Sequence, residues 1–216
     1  MSILPVYSSM PEHRGLFVTI DGPNGVGKST IVSGVTSRLR ELGFAVLETN
    51  EPTASYLGQL VRRLEEEYRG RVYACLIAAD RYYHLDHEVI PALLEDKIVL
   101  SARYIASSLV LQRLDNVDLE FIWALNSQIY IPDLSVILTA PANILQHRLD
   151  QRLSLSRFEQ AELRSTELSY YLDAVDFLSV RGFNILQLDN GNTPIGQNIS
   201  RIVTEVDKLA RSRNHE

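Results

Sequence analysis

The stretch Leu16-Phe17-Val18-Thr19-Ile20-Asp21-Gly22-Pro23-Asn24-Gly25-Val26-Gly27-Lys28-Ser29-Thr30 decides how the chain is read. An apolar run of strand length breaks into Gly-x-x-x-x-Gly-Lys-Ser and continues as an amphipathic stretch. Gly22 and Gly27 permit a tight turn, so that backbone N–H groups from Asn24 through Gly25, Val26 and Gly27 to Thr30 can face phosphate oxygens. Lys28 adds a point charge near the β- and γ-phosphates, and the Ser29 hydroxyl can ligate Mg²⁺. A helix starting at Ser29 aims its positive end at the same anion. The plain alternative is a glycine turn between strand and helix. The apolar strand before the turn and the amphipathic helix after it favour a loop that binds a nucleoside triphosphate.

Bulk properties narrow the class. A chain of 216 residues supports one substantial domain, and its 45% hydrophobic and 22% charged residues are ordinary for a globular protein. A formal net charge of −6 argues against nonspecific binding to nucleic acid or anionic membranes. The single cysteine, Cys75, has no internal disulfide partner, and its apolar neighbours predict a small buried hydrophobe. No apolar run approaches the ~20 residues that cross a bilayer. Met1 to Arg14 lacks the basic-then-apolar pattern of a signal peptide. These features predict a soluble protein in a reducing, cytoplasmic setting.

Residues 1–14 read as a loose arm and 15–216 as one domain. Strands are predicted at Leu16–Asp21, Phe44–Thr49, Lys97–Ala102, Leu134–Ala140 and Asn184–Leu188, each followed by helical periodicity. The first helix should stop at Gly43, and others are expected near 57–68, 72–95, 105–113, 119–130, 159–181 and from Ile195 onward. Short strands alternating with helices predict an α/β fold: a five-stranded parallel sheet with helices on both faces. Ligands of such sheets sit at the carboxyl ends of the strands. Glu51, Arg103 and the glycine loop should therefore share one cleft.

A phosphate loop alone does not separate a GTPase, an ATPase and a small-molecule kinase. An Asn-Lys-x-Asp guanine reader is missing from the sequence. Instead the chain carries, in order, Asn50-Glu51-Pro52, Leu57-Gly58, Ala78-Ala79-Asp80-Arg81, Ala102-Arg103-Tyr104, Ser107-Ser108, Gln112 and Pro132-Asp133-Leu134. A basic segment holding Arg152 and Arg157-Phe158-Glu159 follows. From about residue 15 to 212 this order resembles thymidylate kinases of the bacterial type, within the P-loop NTPase fold. The resemblance implies γ-phosphoryl transfer from ATP·Mg²⁺ to a nucleoside monophosphate, in a cytoplasmic homodimer serving nucleotide biosynthesis. It assigns Lys28 to the phosphoryl group in flight and Arg103 to the acceptor phosphate, with Arg62 beside it. Bacterial-type members draw catalytic arginines from a lid, here about residues 147–158. With no arginine inside the loop, Arg152 and Arg157 are the expected suppliers and Arg148 a weaker one. Each of these could also be a solvated basic helix end. The acceptor pocket is expected to include Glu51, Arg62, Ile77, Arg81, Arg103, Tyr104, Ser108 and Gln112.

Several positions depart from the family pattern on the acceptor side. Asn24 stands where a loop carboxylate is usual, Asn50 replaces the arginine of Arg-Glu-Pro, and Ala102 replaces the aspartate of Asp-Arg-Tyr. Ile77 occupies the place of the aromatic that stacks on thymine, and Leu111 that of a tyrosine near the sugar. Tyr82, Tyr83 and Tyr104 could substitute for the stacking ring or be structural. The expectation is therefore a kinase of a dTMP-like nucleotide: either a drifted kinase of dTMP itself, or one that is slow on dTMP and takes a non-dTMP, modified or nucleotide-like acceptor. A phosphotransferase acting on a hydroxyl would need a base, with Glu51 or Asp80 available. A weakly catalytic nucleotide-binding paralogue is the third reading.

Overall fold

The computed structural model describes residue 7 and residues 12–152, 156–159 and 163–213. Most of the predicted arm thus lies outside the described residues, as do positions 153–155 of the predicted lid. Within the described residues, five strands form one parallel sheet: β1 (Leu16–Asp21), β2 (Val46–Asn50), β3 (Ile98–Ala102), β4 (Leu134–Thr139) and β5 (Ile185–Asp189). Their spatial order is β2-β3-β1-β4-β5. Strand β1 matches its predicted bounds, and the central position explains its burial on both faces.

Period-two alternation splits the core. Leu16, Val18 and Ile20 face α1 (Lys28–Glu41) and α9 (Ile195–Arg213), where Ile31, Val35, Leu39, Ile202 and Val206 pack against them. Phe17 faces the opposite layer, which includes α3 (Gly70–His84), α4 (Ile90–Leu94), α5 (Ile105–Leu114) and α8 (Arg164–Ser179). Between α3 and α4 the chain makes a π-helical turn, Leu85–Val89. The shorter helices α2 (Tyr56–Arg63), α6 (Leu119–Leu125) and α7 (Ala142–Asp150) complete the order.

Register brings the predicted positions together. Ile20 and Asn50 both pair with Ala102, so the ends of β1, β2 and β3 lie side by side. The chain therefore leaves the sheet at Gly22, Glu51 and Arg103 along one edge. Two expectations are corrected. Cys75 is exposed on α3 rather than buried. Helix α6 ends at Leu125, not near Tyr130, because the Asn126 side chain bonds back to the Ile122 carbonyl at 2.7 Å.

Candidate active site

The phosphate loop runs from the end of β1 into α1. Gly22 has φ 143° and Gly27 φ 97°, both in the region that disfavours a side chain. A Cβ at Gly22 would also sit 2.4 Å from the Leu138 carbonyl oxygen. The loop is braced from behind. Arg148 donates to the carbonyls of Val26 (3.3 Å) and Asn190 (3.0 Å), and Asn190 Nδ2 donates to Val26 at 2.7 Å. Lys28 Nζ donates to the Gly22 and Pro23 carbonyls at 2.8 and 3.0 Å, which holds it across the loop. Burial, then the neighbouring Arg103 guanidinium, push the Lys28 pKa well below its usual value, with Glu167 and Asp21 acting in the opposite direction. Incoming phosphate oxygens would favour the charged form again.

Arg103 stands at the end of β3 with φ 73°, a strained conformation for a residue with a side chain. Its N–H donates to the Ile20 carbonyl and its own carbonyl accepts from Ser101 Oγ, so the strand ends hold it there. The guanidinium donates to Asn24 Oδ1 at 2.6 Å and to Ser107 Oγ at 3.3 Å. Asp21 fixes the next element. Its Oδ1 accepts from the Tyr104 and Ser107 N–H groups, both at 3.0 Å, and from Ser107 Oγ at 2.6 Å, tying the start of α5 to β1. Burial raises the Asp21 pKa against these bonds, Ser107's side chain being the strongest.

Two spaces meet at this edge. A cleft of about 740 Å³ is lined by Gly25, Gly27, Lys28, Ser29, Thr30 and Arg152. A smaller cavity is lined by Ile77, Arg81, Tyr104, Ser108, Leu111 and Gln112. Asn24, Glu51, Pro52 and Arg103 border both. Arg62 lines the larger cleft and donates to the carbonyls of Pro52 and Thr53.

Glu51 anchors the smaller cavity. Arg81 Nε and Nη2 donate to Glu51 Oε2 at 2.9 and 2.7 Å, and His84 Nδ1 lies 3.2 Å from Oε1. Arg81 also donates to Asn126 Oδ1, the Tyr104 carbonyl and Ser108 Oγ. Burial would raise the Glu51 pKa, yet Arg81 and His84 outweigh it and hold the carboxyl below its usual value.

Comparison with known proteins gives these features a family. The model of the family described as thymidylate kinase matches residues 20–176. The chain belongs to the thymidylate kinase family. A probable thymidylate kinase of Caldivirga maquilingensis is 33% identical over 202 residues, covering 92% of this chain and 96% of the relative. A thymidylate kinase of Shouchella clausii is 35% identical over 161 residues, covering 69% and 76%. The solved thymidylate kinase of Candida albicans has the same fold, with a TM-score of 0.74 at 20% identity, over 93% of this chain and 95% of that one. Membership makes the protein a nucleotide kinase, a phosphotransferase.

The Val26 side chain packs in the core and the Gly22 carbonyl accepts from Lys28, both compatible with the backbone roles expected of these two loop residues. One residue expected at the site, Arg157, lies elsewhere. It is buried, 2.5 Å from Asp115 Oδ1, and its guanidinium lies over the rings of Phe158 and Tyr73. Of the expected pair, Arg152 alone lines the cleft, paired there with Glu159. Arg148 and His147 belong to α7, so the predicted lid begins inside a helix. Arg157→Ala should accordingly lower stability by about 3 kcal/mol, because it strands Asp115 as a buried charge. Urea unfolding measures this; a loss of turnover at unchanged stability would put Arg157 back in the cleft.

Of the three tyrosines offered as stacking substitutes, Tyr104 alone lines the smaller cavity, and each has a structural partner. Tyr82 donates to the Leu125 carbonyl, Tyr83 stacks on His87, and Tyr104 donates to the Tyr130 carbonyl from full burial. Tyr73 and Phe158 join Tyr104 as the aromatic residues that line the smaller cavity. Tyr73 stands one helical turn before Ile77, on the same face of α3, and that spacing was readable in the sequence.

Proposed function

We propose that the chain is an ATP- and Mg²⁺-dependent kinase that converts dTMP to its diphosphate. The observation that carries the reading is the shared border of the two spaces: a phosphate-loop cleft and a base-sized cavity meet at Arg103. A γ-phosphate held by the loop and an acceptor 5′-phosphate held by Arg103 would face each other there. An acceptor phosphate oxygen attacks the γ-phosphorus while the bond to the β,γ-bridging oxygen breaks, leaving ADP. That acceptor is already ionised, so no general base is required. The protein's task is to place two anions together and neutralise their charge.

Lys28 and Arg152 border the donor phosphates and Arg103 the acceptor, with Arg62 at the rim. Ser29 lines the same cleft, and its hydroxyl suits a hard, oxygen-seeking cation shared with the phosphates. Bound there, Mg²⁺ would neutralise charge on the transferring group. The described residues hold no cluster of three or more His, Cys, Asp or Glu that could ligate a metal. Ser29 would hold the ion together with the phosphates and water.

For the base, the cavity offers Ile77 with the Tyr73 and Phe158 rings as apolar walls. Gln112 Oε1 is buried there with no hydrogen-bond partner among the described residues. A pyrimidine N3–H would supply one. Both carboxylates that could serve a hydroxyl acceptor are otherwise engaged: Glu51 by Arg81 and His84, Asp80 by the Thr53 N–H and hydroxyl, each at 2.7 Å. The comparisons lend no support to another acceptor class. On this reading the enzyme works in the cytoplasm, in nucleotide biosynthesis. A homodimer would use the α3 surface, where Val72 and Cys75 are exposed.

Arg103→Ala is the test of the shared border. It should raise the KM for dTMP by about 10-fold or more while the affinity for ATP changes little, the loss expected for one charge-assisted contact. Equal weakening of both substrates would contradict the placement of the acceptor phosphate.

A further inference from the structure

The phosphate loop is gripped by a carboxylate that the transfer chemistry does not use. Glu167 lies on α8, 1% exposed, and its Oε1 accepts the Asn24 N–H at 3.0 Å. A buried carboxylate is expensive unless it is bonded and compensated. Burial raises its pKa, while the Asn24 bond and the charges of Lys28, Arg103 and Arg164 act against that rise.

Asn24 stands where three parts of the site meet. Its Oδ1 accepts from Arg103 at 2.6 Å, and its Nδ2 donates to the Phe158 carbonyl, beyond Arg152, at 3.4 Å. Its backbone position thus determines where the acceptor arginine and the Phe158 segment are held. Helix α8 braces the acceptor side as well. The Tyr171 hydroxyl lies 3.4 Å from Ser107 Oγ, and Asp173 accepts from Arg113 at 3.0 Å, both partners being on α5.

We propose that Glu167 is a positioning residue for phosphoryl transfer. It fixes the loop through the Asn24 N–H and so registers donor loop, acceptor arginine and the Phe158 segment against one helix. The proposal rests on the kinase reading of the cleft for its activity readout, but its structural half does not. What Glu167 supplies is a hydrogen-bond acceptor at one point, so a glutamine amide oxygen should replace it and a methyl group should not.

The test compares Glu167→Gln and Glu167→Ala with the native chain, reading steady-state kinetics and hydrogen exchange of the Asn24 amide. Loss of one charge-assisted hydrogen bond predicts that Glu167→Ala lowers kcat by about 30-fold, with a smaller change in the KM for dTMP. The same variant should speed Asn24 exchange by a similar factor. Glu167→Gln should keep kcat within about threefold of the native value and keep the Asn24 amide protected. Turnover of Glu167→Gln as slow as that of Glu167→Ala, or equal Asn24 exchange in all three proteins, overturns the proposal. Should Glu167→Ala not fold, a tenfold fall in kcat for Glu167→Gln alone overturns it. Absence of native dTMP turnover would overturn the kinase reading instead, and Asn24 exchange would still decide the role of Glu167.

Discussion

Lys28→Ala abolishes measurable phosphoryl transfer, with kcat falling by about 10³-fold or more, while the protein stays folded. Charge on the transferring group is spread over its oxygens, so catalysis depends on cations fixed where that charge passes. Lys28 is the cation held across the loop mouth by two carbonyls. Arg152 is paired with Glu159 and Arg103 with Asn24, so neither is held where Lys28 is. The fold should tolerate the change because Lys28 is only half-buried and its Nζ donates to two backbone carbonyls of the loop, while Arg103 and Arg164 remain to compensate Glu167. A coupled ADP assay against thermal unfolding separates the two effects. Retained turnover, or loss of turnover only through unfolding, would contradict the role.

Glu51→Ala is expected to have the largest effect on stability. It removes the carboxylate that receives two donors from Arg81, a guanidinium only 1% exposed, and leaves His84 Nδ1 without its partner. Breaking a buried pair by deleting one member costs about 3–5 kcal/mol. That is a large share of the roughly 5–15 kcal/mol that holds an ordinary domain together. Glu51→Gln keeps the shape and one acceptor and should cost less. The two variants also differ from the native chain in acid. Glu51 has a folded-state pKa below its ordinary value, so its stabilising contribution is complete above the unfolded-state pKa. The contribution is lost as pH falls from there through the folded value. Urea unfolding across pH 3 to 7 should therefore show a shallower acid dependence in Glu51→Gln than in the native chain. Identical slopes would remove Glu51 from the account of acid sensitivity.

Local patterns disclosed the scaffold and much of the site. Strand β1 and its loop are a contiguous signal in which propensity, glycine placement and charge agree. The meeting of Gly22, Glu51 and Arg103 followed from parallel topology alone, since all three leave strand ends. What escaped the sequence depends on partners distant along the chain. Arg157 in a basic segment reads as a solvated or lid arginine, and only the fold brings Asp115 to it. The early end of α6 depends on Asn126, whose amide bonds back to Ile122 and receives Arg81. Cys75 lies in an apolar run, but it occupies the outer face of α3. Glu167 gave no local sign, because the N–H it holds is 143 residues away in sequence. The departures at Asn24 and Ile77 look different in the fold. Asn24 joins Arg103 to the Phe158 segment, and the aromatic surface missing at Ile77 stands at Tyr73 and Phe158.

The most direct measurement is kcat/KM with saturating ATP·Mg²⁺ for dTMP beside the other natural nucleoside monophosphates and thymidine, following ADP release and identifying the product. A preference for dTMP of about 10-fold or more, with dTDP formed in step with ADP and no turnover of thymidine, is the result predicted from an intact donor loop joined at Arg103 to a pyrimidine-sized cavity. Faster turnover of thymidine than of dTMP, or of a purine monophosphate than of either, would contradict it.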